Sequence, residues 1–323
     1  MDLTDIAKLI KNGEKDLAVV SHTNPDGDAI GSTLALGLAL ENMGYNVQLV
    51  NQDNIPRIYS FLPGSDLIRS SFLFIPDTII LLDCSDISRV GILGDTISSS
   101  GRYIINIDHH VSNTFFGNAN YIDTRAAATG EIIYNLINLL DCPINEEIAT
   151  CLYTAIVTDT GSFQFENTTE RTHIIAADLI SKGIDLAIIR SFLWENIPPK
   201  SVKLQRKLLD TLEMDETQKI AWAVMPYEIY KEYESSLEHI EGFVNYPKSI
   251  EGVEIGLFFK EIEPNKVKVG FRSKSKVDVN KLAQKFGGGG HKRAAGCILE
   301  APLKEVIEQV VKEAQKTVIK KGD

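Results

Sequence analysis

Cysteine is scarce in this chain of 323 residues. Cys84, Cys142, Cys151 and Cys297 are the only four, and none stands in a Cys-x-x-Cys pair. Neither a zinc ribbon nor a disulfide framework is suggested. No apolar run reaches the length of roughly 20 residues that spans a bilayer. The opening stretch MDLTDIAKLIKNGEKD lacks the basic and apolar blocks of a signal peptide, so a cytoplasmic location is expected. Positive charge is also in short supply, with a net charge of −11. A protein that grips long nucleic acid usually presents a large basic surface. A polyanionic substrate of this chain is therefore expected to be small. No internal repeat and no low-complexity tract occurs.

What is present is an ordinary globular composition, 44% hydrophobic and 24% charged. The length fits two domains better than one. Asp16 to Ser21, Tyr45 to Val50, Thr78 to Leu82 and Tyr103 to Ile107 read as buried strands, the last two as near-continuous apolar runs of parallel type. Helical spacing runs from about Ala29 to Met43, then over Glu131 to Leu140, Glu146 to Thr158 and Glu170 to Lys182. Gly44 and Gly183 stand where helix stops belong. This alternation predicts an α/β fold, a doubly wound and mostly parallel sheet. Asn196-Ile197-Pro198-Pro199 is the best boundary, and Val202 to Leu212 reads as a connecting helix. Beyond it, Lys219 to Met225 reads as a strand. Val253 to Lys260 and Lys266 to Arg272 read as a hairpin around Glu263-Pro264-Asn265. Val279 to Phe286 reads as a short helix and Leu303 to Lys320 as a terminal one. The expected division is a first domain at 1–195, a linker at 196–209 and a second, smaller α/β domain at 210–323.

Four clusters of acid and histidine punctuate the first domain. His22, Asp26 and Asp28 follow the first strand, Asp83 follows the third, Asp108-His109-His110 follow the fourth, and Asp159 follows the run Ala155-Ile156-Val157. Taken singly, each passes as a turn or cap residue. Repeated at the ends of several buried elements, they describe a metal site, because open α/β sheets bind ligands at the carboxyl ends of their strands. Asp26 and Asp28, two apart in an extended turn, are expected to point in different directions and to serve different ions of a pair. Mixed Asp and His donors suit Mn²⁺, with Mg²⁺ less favoured because of the imidazoles. Two ions about 3.5–4 Å apart suit an in-line displacement at phosphorus.

His22-x-x-Pro25-Asp26-Gly27-Asp28-x-x-Gly31-Ser32, Asp83, Asp108-His109-His110 and Asp159 resemble the four motifs of the DHH phosphoesterase superfamily. The resemblance implies a centre of two ions, usually manganese. By position, His22, Asp26 and Asp83 would hold one ion. Asp28, Asp83, His109 and Asp159 would hold the other, with Asp83 as the bridge. Asp108 would orient a histidine, and His110 would face the phosphoryl group as a stabiliser or proton donor.

In the second domain, Phe286 is followed by Gly287-Gly288-Gly289-Gly290-His291-Lys292-Arg293-Ala294-Ala295-Gly296. Consecutive glycines let backbone N–H groups approach an anion. Upstream, Arg272 and Ser273 pair a forked guanidinium with a hydroxyl. A plain flexible linker has little need of the His-x-x-Ala-Ala-Gly sequel. The segment resembles the GGGH-x-x-AAG signature of one branch of the superfamily, so the likeness covers nearly the whole chain. It implies substrate contacts from Arg272, Ser273, Gly288, Gly289, Gly290 and His291; closure around the linker near Pro198-Pro199 would exclude water and complete such a site. It implies an enzyme similar to bacterial oligoribonucleases, which degrade RNAs of about 2–5 nucleotides to mononucleotides and convert 3′-phosphoadenosine 5′-phosphate to AMP. Short RNA and small nucleotides are the expected partners, without long duplex or membrane; homodimers occur among similar proteins. Phosphodiesterase activity on pApA or cyclic di-AMP, inorganic pyrophosphatase activity and a non-catalytic nucleotide sensor are the alternatives. The glycine signature argues against the pyrophosphatase, and the complete ligand set argues against the sensor. Phe163 is a candidate base-stacking residue, although its surroundings read as core.

Overall fold

A computed structural model describes residues 1–233 and 242–319. The chain forms two compact units, Met1–Asn196 and Ile197–Asp323. No helix among the described residues is long and apolar enough to cross a membrane.

The first unit runs α1 (Leu3–Asn12), β1 (Asp16–Ser21), α2 (Gly27–Asn42), β2 (Asn46–Val50), β3 (Thr78–Leu82), α3 (Ile92–Ser99), β4 (Tyr103–Asp108), β5 (Ala119–Ile122), α4 (Thr129–Leu139), α5 (Glu146–Asp159), α6 (Glu170–Ser181) and α7 (Leu186–Arg190). The five strands are all parallel, in the order β2-β1-β3-β4-β5. Alternate residues of each central strand feed opposite faces. Leu17, Val19, Ile80, Leu82, Ile105 and Ile107 join the larger core with α1, α2, α4 and α5. Ala18, Val20, Ile79 and Leu81 pack against Leu93 and Ile97 of α3. Both faces are covered, which explains the near-continuous apolar strands. The strand order reverses between β1 and β3, and such a switch point opens a crevice at the carboxyl edge.

Local chemistry sets the element ends. α2 begins at Gly27, two residues before the expected start, because the Asp26 side chain caps it by accepting the Ala29 N–H at 3.0 Å. Asp28 therefore lies in the first helical turn, not in an extended one. α2 packs closely against α5. A Cβ at Gly31 would approach the Cys151 carbonyl oxygen to 2.5 Å, so glycine alone fits there. Further elements were not anticipated, α1, α3 and β5 among them. α1 is closed by a reciprocal Asp2–Asp5 capping box. α3 is only eight residues long. β5 is an edge strand containing Asn120 and lacks the apolar run of its neighbours.

The second unit runs α8 (Pro199–Leu209), β6 (Glu213–Met214), β7 (Ile220–Met225), α9 (Tyr227–Glu232), α10 (Asn245–Ser249), β8 (Ile255–Glu263), β9 (Lys266–Ser273), α11 (Val279–Gln284), β10 (Gly289–Gly290), β11 (Ala294–Glu300) and α12 (Leu303–Ile319). The expected terminal residue of the last helix, Lys320, lies outside the described residues. A six-stranded mixed sheet has the order β10-β11-β9-β8-β7-β6. One face packs on α11 and α12. The other includes Leu204 and Leu208 of α8, buried with Ala223, Met225 and Phe258. Most of the segment 196–209, read from sequence as a connection, is thus an integral helix of this unit.

Candidate metal centre

Five of the six candidate ligands in the first unit flank or adjoin the switch point. His22 lies one residue past β1, Asp26 and Asp28 cap and open α2, Asp83 lies one residue past β3, and His109 follows β4. Asp159, the last residue of α5, arrives from the helical layer. At Asp83 the chain adopts φ +58, and its N–H donates to the Ile107 carbonyl. A left-handed turn at a non-glycine residue costs about 1 kcal/mol or more and persists where surroundings over-determine it.

The structure gathers these side chains into three overlapping sets whose donor atoms lie within 4.8 Å of one another: His22, Asp26 and Asp83; Asp28, His109 and Asp159; and Asp83, His109 and His110. Asp83 faces two ways. Its Oδ2 is 3.3 Å from His22 Nε2, and its Oδ1 is 3.5 Å from His109 Nε2. His109 Nε2 also lies 3.6 Å from Asp159 and 3.8 Å from Asp28.

Each histidine is oriented through its other ring nitrogen. Nδ1 of His22 donates to the Thr23 carbonyl (2.8 Å) and Nδ1 of His109 to the Ala126 carbonyl (3.3 Å). Nε2 is thereby left as the lone-pair donor turned to the carboxylates. His110 Nδ1 instead donates to Asp108 Oδ1 at 2.7 Å. Asp108 is fully buried and also accepts the His109 N–H (2.8 Å) and the Asn113 amide (2.7 Å). The histidine that Asp108 orients is therefore His110.

The electrostatics call for a cation. Burial, together with Asp83, Asp159 and Asp26, holds the Asp28 carboxyl well above the usual range. Burial raises Asp159 to about 7, Asp83 and Asp26 adding to the effect and His109 opposing it. Among the candidate ligand carboxylates Asp83 is driven down: burial disfavours its charge, but His22, His109 and His110 outweigh it. Burial likewise disfavours a charged His110, yet the Asp108 hydrogen bond and the charge of Asp83 push it up to about 9. Among the described residues, the ion pairs of these carboxylates are all with histidine. A crowd of carboxylates with imidazole Nε2 donors and no Lys or Arg partner fits divalent cations.

Residues 16–156 match the DHH family N-terminal domain, and residues 219–320 match the DHHA1 domain. The chain is 33% identical over 320 residues to the bifunctional oligoribonuclease and PAP phosphatase NrnA of Thermus thermophilus, covering 98% of this chain and 94% of that protein. The chain belongs to the DHH family. Its fold is similar to that of an exopolyphosphatase-related protein from Bacteroides fragilis, with a TM-score of 0.87 at 27% identity, covering 98% and 96% of the two chains. A RecJ structure from Thermus thermophilus in complex with Mn²⁺ shares the fold more distantly, with a TM-score of 0.57 at 14% identity, over 99% of this chain and 55% of that one.

In the second unit several of the expected substrate contacts have partners within the unit itself. Ser273 is buried, and its hydroxyl donates to the Val277 carbonyl at 2.7 Å. Its proton serves the turn after β9 and so ties the loop. The glycine run is engaged as well. Gly289 and Gly290 pair with Gly296 and Ala295 as β10, the Gly288 N–H donates to the Ala283 carbonyl, and the His291 N–H donates to the Ala294 carbonyl. Two positions of the run admit no side chain: a Cβ on Gly288 would come within 2.2 Å of the Gly296 carbonyl oxygen, and one on Gly290 within 2.5 Å of the Ala294 carbonyl oxygen. Arg272 pairs across the sheet with Ala294 and Gly256, half-buried, and burial lowers its pKa. Phe163 packs on the core, its ring 5.2 Å from that of His173.

Residues given no role of their own in the sequence reading also surround the ligands. Ser32 donates to Asp28 Oδ1 (3.0 Å), and Thr129 and Gly130 reach Asp28 from the start of α4. Asn113 joins Asp108 to Asn106 and to the Cys84 carbonyl. Ser32 lay within the quoted motif, but Thr129 and Asn113 follow no spacing that marks them.

Proposed function

We propose that the chain is a metal-dependent phosphoesterase that hydrolyses oligoribonucleotides of about 2–5 nucleotides to mononucleotides and 3′-phosphoadenosine 5′-phosphate to AMP. The observation that carries this reading is Asp83, whose two oxygens face two separate donor sets. Near full-length similarity to the Thermus enzyme supplies the substrate class. His22, Asp26 and Asp83 are assigned to one ion, and Asp28, Asp83, His109 and Asp159 to the other, with Mn²⁺ preferred over Mg²⁺ by the imidazoles. When bound, such a pair supplies a water nucleophile and charge neutralisation at phosphorus. His110, held by Asp108, donates to the phosphoryl or leaving oxygen. In the second unit Arg272, His291 and the Gly289–Gly290 strand are assigned to a nucleotide phosphate. Action in the cytoplasm, on short single strands in preference to long duplex, and homodimerisation belong to the same proposal.

The purified protein is to be assayed with Mn²⁺ on a labelled dinucleotide, a 24-mer RNA, 3′-phosphoadenosine 5′-phosphate, pApA, cyclic di-AMP and pyrophosphate. The dinucleotide and 3′-phosphoadenosine 5′-phosphate are expected to turn over fastest. Preference for the 24-mer or for pyrophosphate would overturn the reading, and binding of pApA without cleavage would indicate a sensor.

A further inference from the structure

Thr129 is the first residue of α4, fully buried, and it touches two candidate ligands from different parts of the chain. Its backbone N–H donates to Asp28 Oδ2 at 2.6 Å, and its hydroxyl donates to Asp83 Oδ1 at 3.0 Å. The next N–H, of Gly130, donates to Asp28 Oδ1 at 2.9 Å. Ala128, at the N-cap position of α4, has no side-chain oxygen to offer. A carboxylate carried by α2 therefore does the capping, and the first N–H groups of α4, which an isolated helix leaves without partners, clamp Asp28 from both of its oxygens.

The hydroxyl does a different task. The terminal torsion of an aspartate is broad, so its backbone does not by itself decide which oxygen faces which neighbour. At Asp83 that choice matters, because Oδ2 must face His22 while Oδ1 faces His109. His110 Nδ1 also lies 3.6 Å from Oδ1 but is already bonded to Asp108. The Thr129 hydroxyl is the neutral donor that pins Oδ1. Its single proton restrains the carboxylate and leaves the remaining lone pairs of that oxygen for a cation.

We infer that Thr129 is a positioning residue for the two-ion centre, holding Asp83 in the rotation that lets one carboxylate serve both ions. The inference rests on the metal-centre part of the proposed function and not on the substrate. Loss of an outer partner of a metal ligand commonly weakens metal affinity by roughly 10–100-fold. The test uses Mn²⁺ alone as the probe, in calorimetric titration and in electron paramagnetic resonance of the loaded protein. The wild type is expected to bind two ions with the spectrum of a coupled pair. Thr129→Val, which keeps the shape and loses only the hydroxyl, is expected to weaken the second binding step by about 10–100-fold and to lose the coupled spectrum. Thr129→Ser, which restores the donor, is expected to recover both.

Wild-type titration and spectrum in Thr129→Val would overturn the inference. So would a Thr129→Ser variant as weak as Thr129→Val, or a valine variant that melts earlier without metal yet binds Mn²⁺ normally. A wild type that binds two ions but cleaves no dinucleotide would overturn the substrate reading alone and leave Thr129 in place. A wild type that binds no pair would overturn both.

Discussion

At the scale of single residues, the site depends on carboxylates with unequal tasks. On the proposed assignment Asp83 is shared by both ions and Asp108 is not a ligand, so their substitutions separate. Asp83→Ala is expected to reduce Mn²⁺ binding from two ions to at most one and to lower turnover by at least about 10³-fold, as read by metal analysis and steady-state kinetics. Asp108→Asn keeps the volume but replaces an acceptor with an amide that can offer His110 Nδ1 a donor. It is expected to lower kcat by roughly 10²–10⁴-fold while Mn²⁺ stoichiometry stays at two. Loss of metal in Asp108→Asn would contradict the separation. His291→Ala, in the second unit, is expected to raise KM and leave metal content unchanged. The cluster of candidate ligands was legible in the sequence because acids and histidines after apolar runs announce themselves by position. Thr129 and Asn113 were not, since a hydrogen bond across 46 residues, Thr129 to Asp83, leaves no local pattern. The internal bonds of Ser273 and Gly288 were hidden for a related reason: sequence shows that a donor exists, not which carbonyl it already serves.

At the scale of elements, the centre is a by-product of how two helices and a sheet edge meet. Asp28 rides on α2 and Asp159 ends α5, so the spacing of these helices sets the spacing of the carboxylates. Gly31→Ala would place a methyl 2.5 Å from the Cys151 carbonyl oxygen and force the helices apart. Overpacking of this kind costs about 1–3 kcal/mol, and Mn²⁺ affinity is expected to fall together with the urea midpoint. A midpoint that drops with unchanged affinity would show that the helices can separate elsewhere. A second tie joins β5 to α6. Asp123, past the end of β5, bonds Arg171 at 3.0 Å, and its N–H donates to the Asp108 carbonyl. Burial opposes ionisation of Asp123, but Arg171 and the Arg125 N–H outweigh it and hold its pKa below the usual range. A depressed carboxylate stabilises the fold above its unfolded pKa of about 3.9, and that stability disappears as pH falls through the folded value. Asp123→Asn is expected to cost about 1 kcal/mol at pH 7, because Arg171 is 40% exposed and partly screened. The difference from wild type should begin to shrink as pH falls below about 4 and vanish only below the depressed folded pKa, in denaturant titrations at several pH values. β1 to β4 were readable from their apolar runs; β5 was not, because an edge strand needs only one buried side and its Asn120 breaks the run.

At the scale of the whole molecule, each unit closes its own core. Residues 1–196 contain both clusters that flank the parallel sheet, and residues 197–323 contain both clusters that flank the mixed one. A unit with a complete core and all its candidate ligands has what independent folding requires. A fragment of residues 1–196 is accordingly expected to unfold cooperatively and to bind two Mn²⁺. At free metal of about 100 times its dissociation constant, binding at one such site adds roughly 2.7 kcal/mol of stability, readable as a rise in melting temperature. The complementary fragment 197–323 is expected to show no such rise, since the donor clusters found among the described residues all lie in the first unit. Turnover of a dinucleotide by fragment 1–196 should be far weaker than by the full chain if Arg272 and His291 contact the nucleotide. Equal turnover by the fragment would return substrate choice to the first unit. Failure of the fragment to bind metal while folded would mean that the two-ion centre needs residues beyond the first unit.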